Sequence, residues 1–193
     1  MTDWRESLWP VRSAPADVSA AVLVLLSKTP DIVFLRKTAH LEHHAGQVAF
    51  PGGMRERSDS AIDATAVREA HEEVGIDPDE IRVLGLLPKS RRTITGTRVA
   101  VVVAGWSGEP KLRCADEFEV AEVFRVPIAQ LAAKNNRVTA LVHGEPVGPG
   151  FLVAGHFIWG FTGQIVAELL QLTGWAEPWN EQRTMQVPKA YLG

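Results

Sequence analysis

The stretch GGMRERSDSAIDATAVREAHEEVGI, residues 52–76, decides the fold of this chain. It predicts an amphipathic helix with a stripe of small and aliphatic residues that seats the helix on a core. That stripe consists of Ala66, Val67, Ala70 and Val74. Three acids, Glu69, Glu72 and Glu73, fall on an adjacent part of the same helix. Gly75 suits a left-handed C-cap, so the acids lie in the last turns of the helix.

Electrostatics opposes this placement of three acids. Carboxylates three and four residues apart repel each other, and the carboxyl end of a helix disfavours negative charge, each by a few tenths to about 1 kcal/mol. A bound divalent cation reverses the sign of these effects, and carboxylate oxygens are the ligands that Mg²⁺ and Mn²⁺ take. The alternative is a solvated acidic face on which Arg68 pairs with Glu72, one helical turn away.

The glycines and acids together resemble the Nudix box, Gx5Ex7REUxEExGU, in which U is an aliphatic residue. REAHEEVGI, residues 68–76, matches the second half of that motif without a gap. Between Gly53 and Arg68 the chain has one residue more than the general motif, and Asp59 stands about where the motif has its Glu. This expansion resembles the variant box of the coenzyme A pyrophosphatase branch of the family.

The residues before the box also resemble that branch, whose signature is LLTxRSxxLRxHxGxVxFPGG. The matching residues are Leu41, His44, Gly46, Val48, Phe50, Pro51, Gly52 and Gly53. Lys37 and Thr38 replace the Arg and Ser of the signature, and Glu42 replaces its second Arg. The change from Arg to Glu reverses a charge that could meet a phosphate.

Three later segments resemble further elements of the branch. The basic loop PKSRRTITG, residues 88–96, is similar to PPxRTxTGY. CADEFEVAEVFRVP, residues 114–127, is similar to NPxEVxxVFxVP and has Glu119 at the Glu position. HFIWGFTG, residues 156–163, is similar to IWGxTA at the start of the last predicted helix. These elements follow one another in the order that the branch has.

The resemblance implies the Nudix fold, an α/β/α sandwich in which a mixed sheet lies between helices. We expect a single domain over residues 1–193, with the family-like part at about 18–172, a short N-terminal lead-in and a C-terminal tail. The implied activity is metal-dependent hydrolysis of a nucleoside diphosphate derivative. Coenzyme A or acyl-CoA is the favoured substrate, and 3′,5′-ADP and (acyl-)4′-phosphopantetheine are the implied products.

The same resemblance implies the site residues. Mg²⁺ or Mn²⁺ would be held by Glu69 and Glu73 with the help of Glu72, and Arg68 would orient Glu72. Glu72 and Glu119 both have the chemical type of a general base, and only geometry can separate them. The predicted substrate-binding residues are His44, Gly52, Gly53, Arg91 and Arg92. The loops around residues 40–44 and 89–92 are expected to face the substrate.

Other functions remain open from sequence. The substrate could instead be ADP-ribose, a dinucleotide or a nucleoside triphosphate. A chain of another class would be a Nudix-like binding module that has lost hydrolysis, and a purely structural protein would leave the three crowded acids without a purpose. The histidines His40, His43 and His44 invite a zinc site, but no Cys or acid completes a ligand set at zinc spacing.

Composition limits the classes of binding partner and the cellular compartment that we expect. A net charge of −3 gives no basic footprint, so we expect a small nucleotide substrate and neither nucleic acid nor a membrane surface as partner. The single cysteine, Cys114, suits a reducing compartment, and the N-terminus has no apolar signal core, so we predict a cytoplasmic protein. The sequence leaves a homodimer open.

The remaining elements follow from the apolar pattern. Buried or alternating runs predict strands at 18–26, 32–36, 48–50, 81–87 and 98–106. Pro51-Gly52-Gly53 is read as a turn, and Ser58, Asp59 and Ser60 as candidate N-caps of the central helix. A short helix at 128–133, a loop that ends at Gly150, a last helix at about 162–172 and a partly ordered tail from Trp175 complete the prediction.

Overall fold

The computed structural model describes residues 8–88, 91–93, 96–108 and 112–192. Within them, eight strands form the first sheet: β1 Ala20–Ser27, β2 Asp31–Lys37, β3 Val48–Ala49, β4 Gly52–Met54, β5 Arg82–Leu86, β6 Arg91–Arg92, β7 Arg98–Trp106 and β8 Val120–Pro127. β1 lies at the centre, parallel to β7 and antiparallel to β2 and β4. The sheet is therefore mixed, as predicted.

The first sheet is covered on both faces by helices. The α-helices are α1 Ile62–Val74, α2 Ile128–Ala132 and α3 Gly160–Thr173. Successive residues of a strand point to opposite faces, so Leu23 and Leu25 of β1 pack towards α1, whereas Val24 and Leu26 pack towards α3. A strand that is buried on both faces shows a continuous apolar run, which is the pattern of β1. The predicted α/β/α sandwich is confirmed.

Helix α1 approaches the sheet closely because its inner face is small. Ala66 and Ala70 are fully buried, and the helix ends where predicted, with Gly75 in the left-handed conformation at φ 69°. The start differs from the prediction. Ala61 occupies the N-cap position, no side chain caps the helix, and Asp59 forms its hydrogen bonds elsewhere.

A second sheet follows the first along the chain. Its strands are β9 Arg137–Val142, β10 Glu145–Val153, β11 His156–Ile158 and β12 Thr184–Gln186, in the order β11-β10-β9-β12. Helix α3 packs between β10 and the first sheet. The predicted loop up to Gly150 is therefore wrong, because β9 and β10 form a hairpin there. The tail from Trp175 is also more ordered than predicted, since β12 pairs with β9 and Val187 is buried.

Two further points bear on the site. The segment Pro51–Gly53 is not a turn, because Gly52–Met54 forms β4 beside β1. Among the residues that the structure describes, no helix has both the length and the apolar character needed to cross a membrane.

Candidate active site

The carboxylates of α1 lie against the backbone of β4. The Gly52 N–H donates to Oε2 of Glu73 at 2.8 Å. The carboxylate of Glu69 lies directly over Gly53, where an added Cβ would stand 2.3 Å from Oε1 of Glu69. A Cβ on Gly52 would stand 2.3 Å from the carbonyl oxygen of Ala21 in β1. Glycine at both positions is what lets the strand pass between β1 and the acids.

Glu73 is the acid most deeply withdrawn from water. The residue is 4% exposed, and burial raises the pKa of its carboxyl to about 7. The Lys37 ammonium and the Gly52 N–H lower that pKa, whereas the neighbouring charges of Glu69 and Glu119 raise it further. Near neutral pH this carboxyl is therefore poised between its protonated and ionised forms.

Lys37 joins the helix to the strand pair β2 and β8. Its Nζ lies 3.9 Å from Oε1 of Glu73 and 3.4 Å from Oε2 of Glu119. Pairing of Lys37 with Val120 in the two strands brings Glu119 to the same face. Sequence reasoning treated Lys37 only as a departure from the branch signature. Its position two residues beyond the buried run of β2, on the face of Leu35, is the signal that would have found it.

Arg68 contacts several groups on the outer side of the site. Its Nε and Nη2 donate to the two oxygens of Asp59 at 3.1 and 3.2 Å, and Nη2 also donates to the Met54 carbonyl at 3.0 Å. Its Nη1 lies 2.9 Å from Oε2 of Glu72 and 3.0 Å from Oε1 of Glu69. The predicted orientation of Glu72 by Arg68 is therefore present as a contact between the two side chains.

The pair of Arg68 and Asp59 is buried and strong. The side chain of Asp59 is 5% exposed, and its hydrogen bonds with Arg68 hold the pKa of that carboxyl at about 2. The same contacts raise the pKa of Arg68 above its ordinary value. Asp59 also accepts from the Glu56 N–H and the Thr65 hydroxyl, both at 2.9 Å. It thus fixes the chain before α1 to the helix, a role that the capping prediction missed.

The histidine segment contacts the chain next to Glu119, and its predicted role in substrate binding stays a prediction. His44 is exposed, has a positive φ of 60°, and its Nδ1 lies 3.0 Å from Oε1 of Gln47. The ring of His40 contacts the edge of Phe118 at 4.7 Å between centroids. Across residues 8–88, 91–93, 96–108 and 112–192, no three histidine, cysteine or acidic side chains are gathered as a metal site, so these histidines form no zinc cluster.

The two predicted arginines of the basic loop diverge. Arg91 forms an ion pair with Glu168 of α3, on the α3 side of the sheet. Arg92 is exposed and lies 3.7 Å from Asp17. Adjacent residues of a strand face opposite sides, so these two side chains do not face one ligand together. Lys89 of the same loop lies outside the described residues. The role of either arginine in substrate binding stays a prediction.

Glu69 and Glu73 of α1 offer the oxygen donors that a hard divalent cation takes, while the described residues hold no preassembled group of three such ligands here either. Burial raises the pKa of Glu69 as well as that of Glu73. The charges of Glu72 and Glu119 raise the pKa of Glu69 further, and those of Glu69 and Glu119 raise the pKa of Glu73. The pair offers only carboxylate oxygens, with Glu73 buried and Glu69 half-buried, which is the donor chemistry that Mg²⁺ or Mn²⁺ takes. Arg68 and Lys37 now contact these acids, so a cation would compete with both. Glu72 is more exposed and faces Arg68, which makes it the outer member of the set.

The chain is similar to known proteins in sequence and in fold. A family model described as NUDIX domain matches residues 15–142. The uncharacterized Nudix hydrolase NudL of Pectobacterium atrosepticum is 36% identical over 155 residues, which cover 78% of this chain and 80% of that protein. NudL of Escherichia coli O1:K1 is 35% identical over 155 residues with the same coverage. In fold, the chain resembles the Nudix hydrolase RenU from M. smegmatis, with a TM-score of 0.57, 19% identity, and coverage of 90% and 98%.

Proposed function

The chain belongs to the Nudix family and is a pyrophosphohydrolase of that family, and from this premise we propose that its substrate is coenzyme A or acyl-CoA. The products would be 3′,5′-ADP and (acyl-)4′-phosphopantetheine. The observation that carries the reaction is the pair of the buried Glu73 and the half-buried Glu69, held against the backbone of β4. The substrate rests on the branch-like segments that surround this pair in the sequence.

Each side chain of the site has a proposed task. Glu69 and Glu73 bind Mg²⁺ or Mn²⁺, and Glu72 assists at the exposed side. The metal, when bound, polarises the pyrophosphate oxygens and acidifies a bound water. Arg68 holds Glu69 and Glu72 at fixed positions through its contacts with both, and Asp59 keeps the guanidinium of Arg68 from turning away. Positioning and charge stabilisation of this kind carry most phosphoryl transfers.

We propose Glu119 rather than Glu72 as the general base. Glu72 is engaged by Arg68 at 2.9 Å on the exposed side of the helix, so its carboxylate is already committed to that contact. Glu119 faces the acids from the neighbouring strand pair and contacts only the flexible ammonium of Lys37 through its side chain, among the described residues. Glu119→Gln should lower kcat by about 10²- to 10⁴-fold with little change in KM. A larger loss in Glu72→Gln would reverse the assignment.

The substrate is tested with the purified full-length protein, Mn²⁺ and a panel of coenzyme A, ADP-ribose and NADH. We expect turnover of coenzyme A with 3′,5′-ADP as a product identified by mass spectrometry. Glu73→Gln, prepared in the same way, is the control for contaminating hydrolases and should be inactive. Turnover of another nucleoside diphosphate without turnover of coenzyme A would refute the substrate assignment and leave the family assignment unchanged.

We further propose a cytoplasmic setting and a small nucleotide as the physiological partner. The net charge of −3 and the single, free, half-buried Cys114 support both. A homodimer remains compatible with this proposal, and light scattering of the purified chain measures it directly.

A further inference from the structure

Arg137 is a buried cation on the second sheet, away from the carboxylates of α1. It begins β9, and the residue is 5% exposed. Its guanidinium carbon lies 4.7 Å from the centre of the Trp179 ring and 5.3 Å from that of the Phe151 ring. The arginine lines a cavity of about 740 Å³. The walls of this cavity come from β9, β10, α3 and residues 176–181.

The guanidinium has no hydrogen-bond acceptor among the residues that the structure describes. Among the described residues it donates no hydrogen bond and forms no ion pair, and its Nε is fully buried without a partner. Burial lowers the pKa of Arg137, while the charge of Glu181 acts in the opposite direction. An arginine keeps its charge in proteins even so, and a buried charge without a partner is costly. An arginine placed this way normally serves an anion.

The other wall residues select among anions. Glu177 and Glu181 are the acids of the lining, so with Arg137 the cavity carries one positive and two negative charges. The lining is net negative, so it disfavours a phosphate dianion or a nucleotide most. A single carboxylate can still pair with Arg137, because Glu177 and Glu181 are exposed and water screens their charges. The Thr139 hydroxyl already donates to the Glu181 carbonyl at 2.7 Å. Much of the remaining lining is apolar: Pro146, Pro149, Ala167, Ala176, Pro178 and the ring of Trp179.

We propose that this cavity binds a small organic molecule through one carboxylate group, which Arg137 holds by its planar pair of donors. Guanidinium and carboxylate match in geometry, and the aromatic rings keep the guanidinium plane fixed for that contact. The apolar walls accommodate the body of the ligand, and the volume lies in the range of small-molecule sites. The site is separate from the hydrolytic centre, so the proposal does not depend on which nucleotide the enzyme cleaves.

The test uses ligand-observed NMR on the full-length protein with benzoate and its neutral isostere benzamide. We expect saturable binding of benzoate and at least tenfold weaker binding of benzamide. Arg137→Met should weaken benzoate by at least about tenfold, because a charge-assisted contact is lost. The matched control is Arg82→Met, the same change at an exposed arginine of β5, and it should bind benzoate as the wild type does.

Every other outcome overturns the proposal. These outcomes are no saturable binding of benzoate, equal binding of benzamide, tighter binding of inorganic phosphate, and undiminished binding by Arg137→Met. If Arg137→Met does not fold, Arg137→Lys replaces it, because lysine keeps the charge but loses the planar donor pair. Arg137→Lys should then bind benzoate more weakly than the wild type. Failure of both variants to fold would show that the arginine serves the fold alone.

Discussion

Replacing Glu73 by Gln should make the metal-free protein more stable while abolishing hydrolysis. Glutamine has nearly the shape of glutamate, and its amide oxygen can still accept the Gly52 N–H that now bonds to Glu73 at 2.8 Å. What it removes is a negative charge in a site that is 4% exposed. The loss of that charge also removes a proposed metal ligand, which is why activity should disappear.

The expected gain depends on pH, and its sign follows from the raised pKa. Burial moves the pKa of Glu73 from an ordinary 4.5 to about 7. The folded state therefore holds a proton that the unfolded state releases, and stability is lost as the pH rises from about 4.5 through 7. The loss is complete above pH 8 or so and amounts to about 3 kcal/mol, since each pKa unit corresponds to about 1.4 kcal/mol. The Gln variant has no such loss.

The assay is thermal unfolding of the wild type and Glu73→Gln in chelator, between about pH 5 and 8.5. At the upper end we expect the variant to melt about 6–12 °C higher, because 1 kcal/mol shifts a chain of this size by about 2–4 °C. At the lower end the two curves should nearly coincide. Glu145→Gln, the same change at an exposed position, should shift little at any pH. A difference that is constant with pH, or a less stable variant at pH 8.5, would refute this reasoning.

Three further predictions concern the metal, Asp59 and the two arginines of the basic loop. Mn²⁺ or Mg²⁺ should raise the Tm of the wild type and chelator should lower it, because the metal binds only the assembled site; a Tm indifferent to both would contradict this. Asp59→Asn should reduce the free energy of unfolding by about 2 kcal/mol at pH 7, measured by urea titration. The pKa of Asp59 is lowered to about 2 in the folded protein, so this stability is present at neutral pH and is lost as the pH falls through that value. Arg91→Ala or Arg92→Ala should lose about 10- to 150-fold in kcat/KM for coenzyme A but not for dephospho-coenzyme A if that arginine binds the 3′-phosphate, and equal losses would exclude such a contact.

The core of the fold could be predicted from sequence because its signals are local. The continuous apolar run of β1 predicts a strand that is buried on both faces, and the helical stripe of α1 predicts a helix packed on a core. Neither inference depends on residues that are distant in the sequence. Gly75 marks the end of α1 for the same reason, since a left-handed residue is needed there and glycine supplies it. The sandwich of a sheet between two helices follows from these elements alone.

The second sheet escaped prediction because its strands look like loops. β10 contains Pro146, Gly148, Pro149 and Gly150, which are residues that strands usually avoid. A register shift between Pro146 and Gly148 accommodates them in the hairpin with β9. β12 is short, and only its pairing with β9 defines it as a strand. Tertiary contact, which no local pattern records, decides these elements.

The site divides in the same way between local and distant information. Glu69, Glu72, Glu73 and Arg68 could be named from helix spacing, whereas Lys37 could not. Its part in the site depends on the pairing of β2 with β8, which joins residues far apart in the chain. The sequence places Asp59 just before the helix but does not identify Arg68 as the partner of its carboxylate. The two oxygens of Asp59 meet Arg68 only because the chain before α1 folds back over the helix.

The three acids of α1 do not share one environment, and this explains how a crowded helix end remains folded. Glu72 faces outward and is neutralised by Arg68, whereas Glu73 faces inward, because the small residues Ala66 and Ala70 bring the helix close to the sheet. Glu69 lies between them and contacts Arg68 at 3.0 Å. The repulsion expected from sequence therefore acts on the pair Glu69 and Glu73, and Glu119 adds to it at both residues. A cation bound to that pair would relieve the repulsion at the point where burial makes it largest, so the strain that opposes folding without metal should strengthen metal binding.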